Sequence, residues 1–161
     1  MKNKLLVLSL ILFASSIFAQ QEAQFTQYMY NTSSINPAYA GSKVGASFLL
    51  LNRSQWVGLE GAPTTTNVSF HSPTNWSGVG LGISIINDKI GPSDESTIAI
   101  DFSYTLLMPK TYKLSFGLKA RGNLLNIDFT KLNQYNQNDY SFENNIENKF
   151  SQNVGVGLYL Y

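Results

Sequence analysis

The chain has 161 residues, no cysteine, 13% charged residues and 13% aromatic residues. The missing cysteines exclude disulfides and thiolate metal sites, and many aromatics at so low a charge exclude a disordered chain. Net charge is +1; two of the eleven basic residues, Lys2 and Lys4, lie in an expected leader, leaving nine basic against ten acidic side chains, which is no footprint for nucleic acid.

Lys2 and Lys4 precede the apolar run Leu5–Phe13, followed by the small residues Ala14, Ser15, Ser16 and Ala19. A basic start, a short apolar run and a small residue at the cut predict a secretory signal peptide over residues 1–19, cleaved near Ala19. The run is too short to cross a bilayer comfortably as a helix. Residues 20–42 form a separate N-terminal segment with no clean period. Asn36-Pro37 and Gly41-Ser42 are turn signals. Phe25, Tyr28, Met29, Tyr30, Ile35 and Tyr39 give the segment a large apolar load for a linker. Two readings stand: it plugs or lines a barrel mouth, or it is a strap packed on the surface.

Strands fill residues 43–161. Lys43–Arg53 is the first, with Val44, Ala46, Phe48 and Leu50 on one face, although Leu49 and Leu51 blur the alternation. A loop carrying Trp56 and Gly61 leads to the second, Pro63–Ser72, where Val68 and Phe70 oppose Asn67, Ser69 and His71. The third, Ser77–Asn87, sets Val79, Leu81, Ile83 and Ile85 against Gly78, Gly80, Gly82 and Ser84. Such a glycine ladder thins a wall or admits another backbone. A polar loop is expected over Asn87–Glu95. The fourth and fifth strands, within Ser96–Asn123, are the clearest. Ile98, Ile100, Phe102, Tyr104 and Leu106 alternate with Thr97, Ala99, Asp101, Ser103 and Thr105. Past the turn, Leu114, Phe116, Leu118 and Ala120 alternate with Lys113, Ser115, Gly117, Lys119 and Arg121. A strict period of two is a strand, with successive side chains on opposite faces. A long Asn-rich stretch, Ile127–Lys149, precedes a sixth strand over Ser151–Tyr161.

Every charge in the fourth and fifth strands falls on one face, so the other face is made for a protein core or for lipid. Connection lengths favour lipid. Pro73–Trp76 and Met108–Thr111 read as short turns, whereas Ser54–Ala62, Asp88–Glu95 and Asp128–Phe150 read as longer links. Outer-membrane barrels alternate in this way. Trp76, Tyr104 and Tyr112 fall near the short-turn end, where an aromatic girdle belongs. A soluble sandwich also alternates its faces, but does not require connections to sort by length. The fold class expected is all-β, an antiparallel transmembrane β-barrel. Six strands are fewer than the ~8 of the smallest barrels, so they read as part of a larger one. His71, Asp101, Lys119 and Arg121 are then lumen-facing. Pairing across the turn sets Asp101 opposite Gly117 or Lys119, and Asp101 is expected to meet Lys119 or Arg121; the alternative is that each charge is simply hydrated.

No enzyme chemistry is legible, and no catalytic residue, cofactor or metal is expected. His71 is the sole histidine. Mid-strand among serines, it suits hydrogen bonding better than a Ser-His-Asp triad. Asp88, Asp94 and Glu95 lack the spacing of a calcium loop. Gly78–Gly82 continues as strand rather than opening a helix, so it is no phosphate cradle.

Gln24-Phe25-Thr26-Gln27-Tyr28-Met29-Tyr30-Asn31, followed by Ile35-Asn36-Pro37-Ala38-Tyr39-Ala40-Gly41-Ser42, resembles the N-terminal signature of the PorP/SprF family. Asn52-Arg53-Ser54-Gln55-Trp56, Gly80-Leu81-Gly82 and Asn87-Asp88-Lys89-Ile90-Gly91 continue the resemblance in order. The family's chains are longer, so the resemblance covers their N-terminal half. It implies an outer-membrane β-barrel component of the type IX secretion and gliding-motility machinery of Bacteroidetes, which helps secrete or anchor surface adhesins. The partners implied are outer-membrane lipid, a peptidoglycan-associated periplasmic component and adhesin cargo. Phe25, Tyr28, Tyr30, Asn36, Pro37 and Tyr39 are then the expected partner-binding residues. The competing expectations are a porin-like passive channel and a secreted soluble β-sandwich adhesin or binding module.

Overall fold

The computed structural model describes residues 28–109, 112–131 and 145–161. The expected leader and Phe25 lie outside the described residues. Six strands follow one another: β1 (Ser47–Ser54), β2 (Thr64–Pro73), β3 (Val79–Ile90), β4 (Ser93–Leu107), β5 (Lys113–Ile127) and β6 (Ile146–Leu160). Each pairs antiparallel with its chain neighbours, in the order β1-β2-β3-β4-β5-β6. β1 and β6 stand at the two ends of this order, so the sheet is not closed on itself. Ahead of β1 come a four-residue helix, α1 (Thr32–Ile35), and a 3-10 turn, Pro37–Tyr39. No helix among the described residues is long and apolar enough to cross a membrane.

The register sorts side chains into rows of opposite character. One row crosses the sheet as Phe48, Phe70, Ile83, Ile100, Ala120 and Val154. The adjacent row on the other face is Ser47, His71, Gly82, Asp101, Lys119 and Gly155. Burial runs opposite to that of a water-soluble domain. Ile100 and Phe102 are 57% and 43% exposed, whereas Asp101 and Ser103, which alternate with them, are 1% and 0% exposed. Thr65, Asn67, Ser69, Ser84 and Thr97 are buried as well. The only buried hydrophobic residues described are Ala38, Ala40 and Ala99. A continuous exposed apolar face with a buried polar face is the pattern of a wall whose outer medium is not water.

One expected loop is absent. Asp88–Glu95 is not a long link: β3 runs to Ile90, β4 begins at Ser93, and only Gly91 and Pro92 connect them. Gly91 has φ +55°, a conformation that a residue without Cβ adopts freely. The polar residues around it belong to the strands. On the apolar face they close the band with a polar border, where Lys89 pairs with Asp94 at 3.1 Å. There the Asn87 amide donates to Asp94 at 2.8 Å and Ser96 at 3.0 Å. Connection lengths therefore do not sort cleanly by end.

The sheet is strongly curled. The ring of Tyr39 lies edge-on to His71 on β2, at 5.5 Å between centroids, and to Tyr159 on β6, at 5.2 Å. The two strands' rings thus stand within about 11 Å of each other, against roughly 19 Å for four strand spacings in a flat sheet. The polar face is the concave one.

Candidate functional site

Residues 31–42 lie across the concave face as a strap, and nearly every residue of Asn36–Gly41 has a fixed task. Asn36 caps the 3-10 turn, its side-chain oxygen accepting from the Ala38 amide at 3.0 Å. Pro37 occupies the first turn, where its missing N–H costs nothing. The Asn36 amide group also donates to the Leu158 carbonyl of β6 at 2.9 Å. Ala38 and Ala40 are fully buried. The Ala40 carbonyl accepts from the Ser103 hydroxyl of β4 at 2.5 Å. Gly41, at φ +70°, donates its amide to His71 Nδ1 at 3.3 Å. One short segment thereby touches β2, β4 and β6.

The wall is thinned where the strap crosses it. Gly80, Ser103, Gly117 and Gly157 form one cross-strand row on the polar face. A Cβ on Gly80 would collide with the Ala40 carbonyl, one on Gly117 with the backbone of Pro37 and Ala38, and one on Gly157 with the Asn36 side chain. The strap backbone therefore rests directly on the strand backbones.

A buried charge pair anchors the other end of the strap. Lys119 Nζ stands 3.4 Å from Asp101 Oδ1, with side chains 11% and 2% exposed. The same ammonium donates to the Ser33 and Ser34 carbonyls of α1, at 3.2 and 2.5 Å. These carbonyls, at the end of so short a helix, have no partner within it, and a cation there also meets the negative end of the helix dipole. The arrangement binds backbone; it holds no nucleophile with a base and orienter. No group of acidic or histidine side chains that could hold a metal occurs among the described residues.

Of the residues singled out from sequence, His71, Asp101, Lys119 and Arg121 all lie on the concave face. Asp101 is paired in register with Lys119, and Arg121 Nε donates to Asn123 Oδ1 at 3.0 Å. Asn36, Pro37 and Tyr39 are turned into the wall. Tyr28 and Tyr30 are exposed, at 43% and 67%, together with Met29 and Ile35. Sequence reading missed Ser103, Gly117 and Gly157 as seats for the strap. Their signal was the alignment of small residues in one row, which a strand-by-strand reading does not show.

The family model described as "Type IX secretion system membrane protein PorP/SprF" matches residues 17–161. No match was found among curated proteins or among solved structures.

Proposed function

Since the chain belongs to the PorP/SprF family of type IX secretion system membrane proteins, we propose that its sheet is an arc of an outer-membrane β-barrel wall. In this reading the protein helps secrete or anchor surface adhesins. The observation that carries it is the inverted burial of the sheet, with an apolar row outside and a polar row inside. The size of the band supports it. From Ile98 to Leu106 along β4 is about 26 Å at ~3.3 Å per residue. A tilt of about 40° makes this about 20 Å of height, close to the ~25 Å apolar band of membrane barrels. Six strands leave the wall incomplete, and further strands must cover the edges of β1 and β6, because unpaired backbone groups in lipid cost several kcal/mol each.

The strap gives the wall its specific task. Tyr28 and Tyr30 are exposed, on a segment whose Asn36–Gly41 part is held against the sheet. They are the contact for a peptidoglycan-associated periplasmic component or for adhesin cargo. The protein is not catalytic in this reading, since its one histidine is engaged by Gly41 and Tyr39. A strap across the concave face also argues against an open passive channel.

The test is surface display of adhesin in cells carrying Tyr28→Ala and Tyr30→Ala together. Display is expected to fall severalfold while the amount of protein in the outer membrane is unchanged. Unchanged display removes the two tyrosines from the mechanism. Recovery of the wild-type protein in the aqueous fraction without detergent overturns the barrel.

A further inference from the structure

The end of the sheet that carries the β2–β3 connection holds a second feature, where the strap leads into β1. A cavity of about 570 Å³ opens between the β2–β3 connection and the neighbouring ends of β4 and β5, lined by Lys43, Trp76, Tyr104, Lys113 and Tyr161 among others. No acidic side chain lines it. Neither lysine pairs with a carboxylate among the described residues: Lys43 Nζ lies 3.4 Å from the Ser47 hydroxyl, and Lys113 Nζ lies over the Tyr161 ring at 5.6 Å. Acidic side chains among the described residues lie elsewhere. Glu60, Asp88, Asp94, Glu95, Asp128 and Glu147 all lie toward the opposite end of the sheet, and Asp101 is held by Lys119.

One residue of this cationic cavity also belongs to an apolar one. Tyr104 also lines a groove of about 740 Å³ on the apolar face, between Phe102, Phe116, Leu118, Val156 and Leu158. A ligand that fills both has an anionic head, an aliphatic tail and a bend at the tyrosine. Trp76 and Tyr104 supply the rings that sit at the level of lipid headgroups. We propose that this is a binding site for an anionic glycerophospholipid, its phosphate held by Lys43 and Lys113 and one acyl chain laid in the groove. The proposal rests on the membrane reading above and adds to it the lipid class.

The test uses the full chain reconstituted into vesicles of phosphatidylcholine with or without phosphatidylglycerol. Insertion is scored by flotation, and retained lipid by native mass spectrometry after detergent extraction. A basic side chain near an anionic surface is worth about fivefold in affinity, so phosphatidylglycerol is expected to be retained roughly thirtyfold over phosphatidylcholine. Lys43→Gln with Lys113→Gln should bring the ratio near one without changing insertion, and Lys113→Arg should preserve it. Excess inorganic phosphate should not displace the lipid; displacement would make this a free-phosphate site and overturn the lipid. An inserted protein that retains both lipids equally, or keeps its preference after both substitutions, overturns the site alone. Failure to insert into vesicles of either composition overturns the membrane reading and the site together.

Discussion

Lys119 is the side chain on which the concave face turns. It neutralises Asp101 and holds two α1 carbonyls at once. Lys119→Met leaves the carboxylate buried without its cation, a loss of about 3–5 kcal/mol. Urea unfolding from vesicles should show that drop, with faster protease cleavage within the strap. Adding Asp101→Asn should restore most of the stability but not the protection of the strap. Gly117→Val drives a side chain into the backbone at Pro37 and Ala38, and overpacking of this kind costs about 1–3 kcal/mol. Gly155→Ala is the control, because its new carbon would sit at an ordinary 3.5 Å from Lys119; it should stay within about 0.5 kcal/mol of the parent. At this scale the sequence is uneven as a guide. Counting back from the β4–β5 turn leaves Asp101 opposite Gly117 or Lys119, because the period of two fixes the face but not a two-residue slip; the folded register is Lys119. Nothing local places Ser103, Gly117 or Gly157 beneath the strap, because the strap has no period and its position is set by tertiary contact.

Elements were legible where one face differs from the other, and illegible where both are polar. β4 and β5 read cleanly from Thr97 to Arg121 because their faces contrast. Asn87–Glu95 reads as a loop because its residues are polar on both sides. In the folded chain this polarity marks the edge of the apolar band rather than the end of the strand. The β3–β4 connection is therefore a test of backbone geometry. Gly91→Val, which puts a β-branched side chain at φ +55°, should cost about 1–2 kcal/mol in urea unfolding. The apolar rows carry a second prediction. Ile100→Arg places a charge mid-band and should weaken vesicle insertion by about 2–4 kcal/mol. Thr105→Lys, near the end of the concave face, should leave insertion unchanged. Equal penalties at the two positions would remove the distinction between the faces.

The whole sheet is an inside-out object whose curvature decides which medium each face meets. Single cysteines at Ile83, Ile100 and Leu118 should be shielded from water-soluble reagents and quenched by lipid-borne spin labels in vesicles. Cysteines at Ser69, Ser84 and Thr97 should be untouched by the lipid-borne quencher. The meander and the two faces were legible from alternation alone. The curl was not, because it depends on Tyr39 reaching both His71 and Tyr159, residues far apart in sequence.

That reach has a consequence for assembly. The Asn36–Leu158 hydrogen bond spans 122 positions, and Tyr39 bridges nearly the same interval to Tyr159. A segment made early is grasped by a strand made more than a hundred residues later. The early segment thus acts as a mandrel, setting the radius around which the later strands are wound.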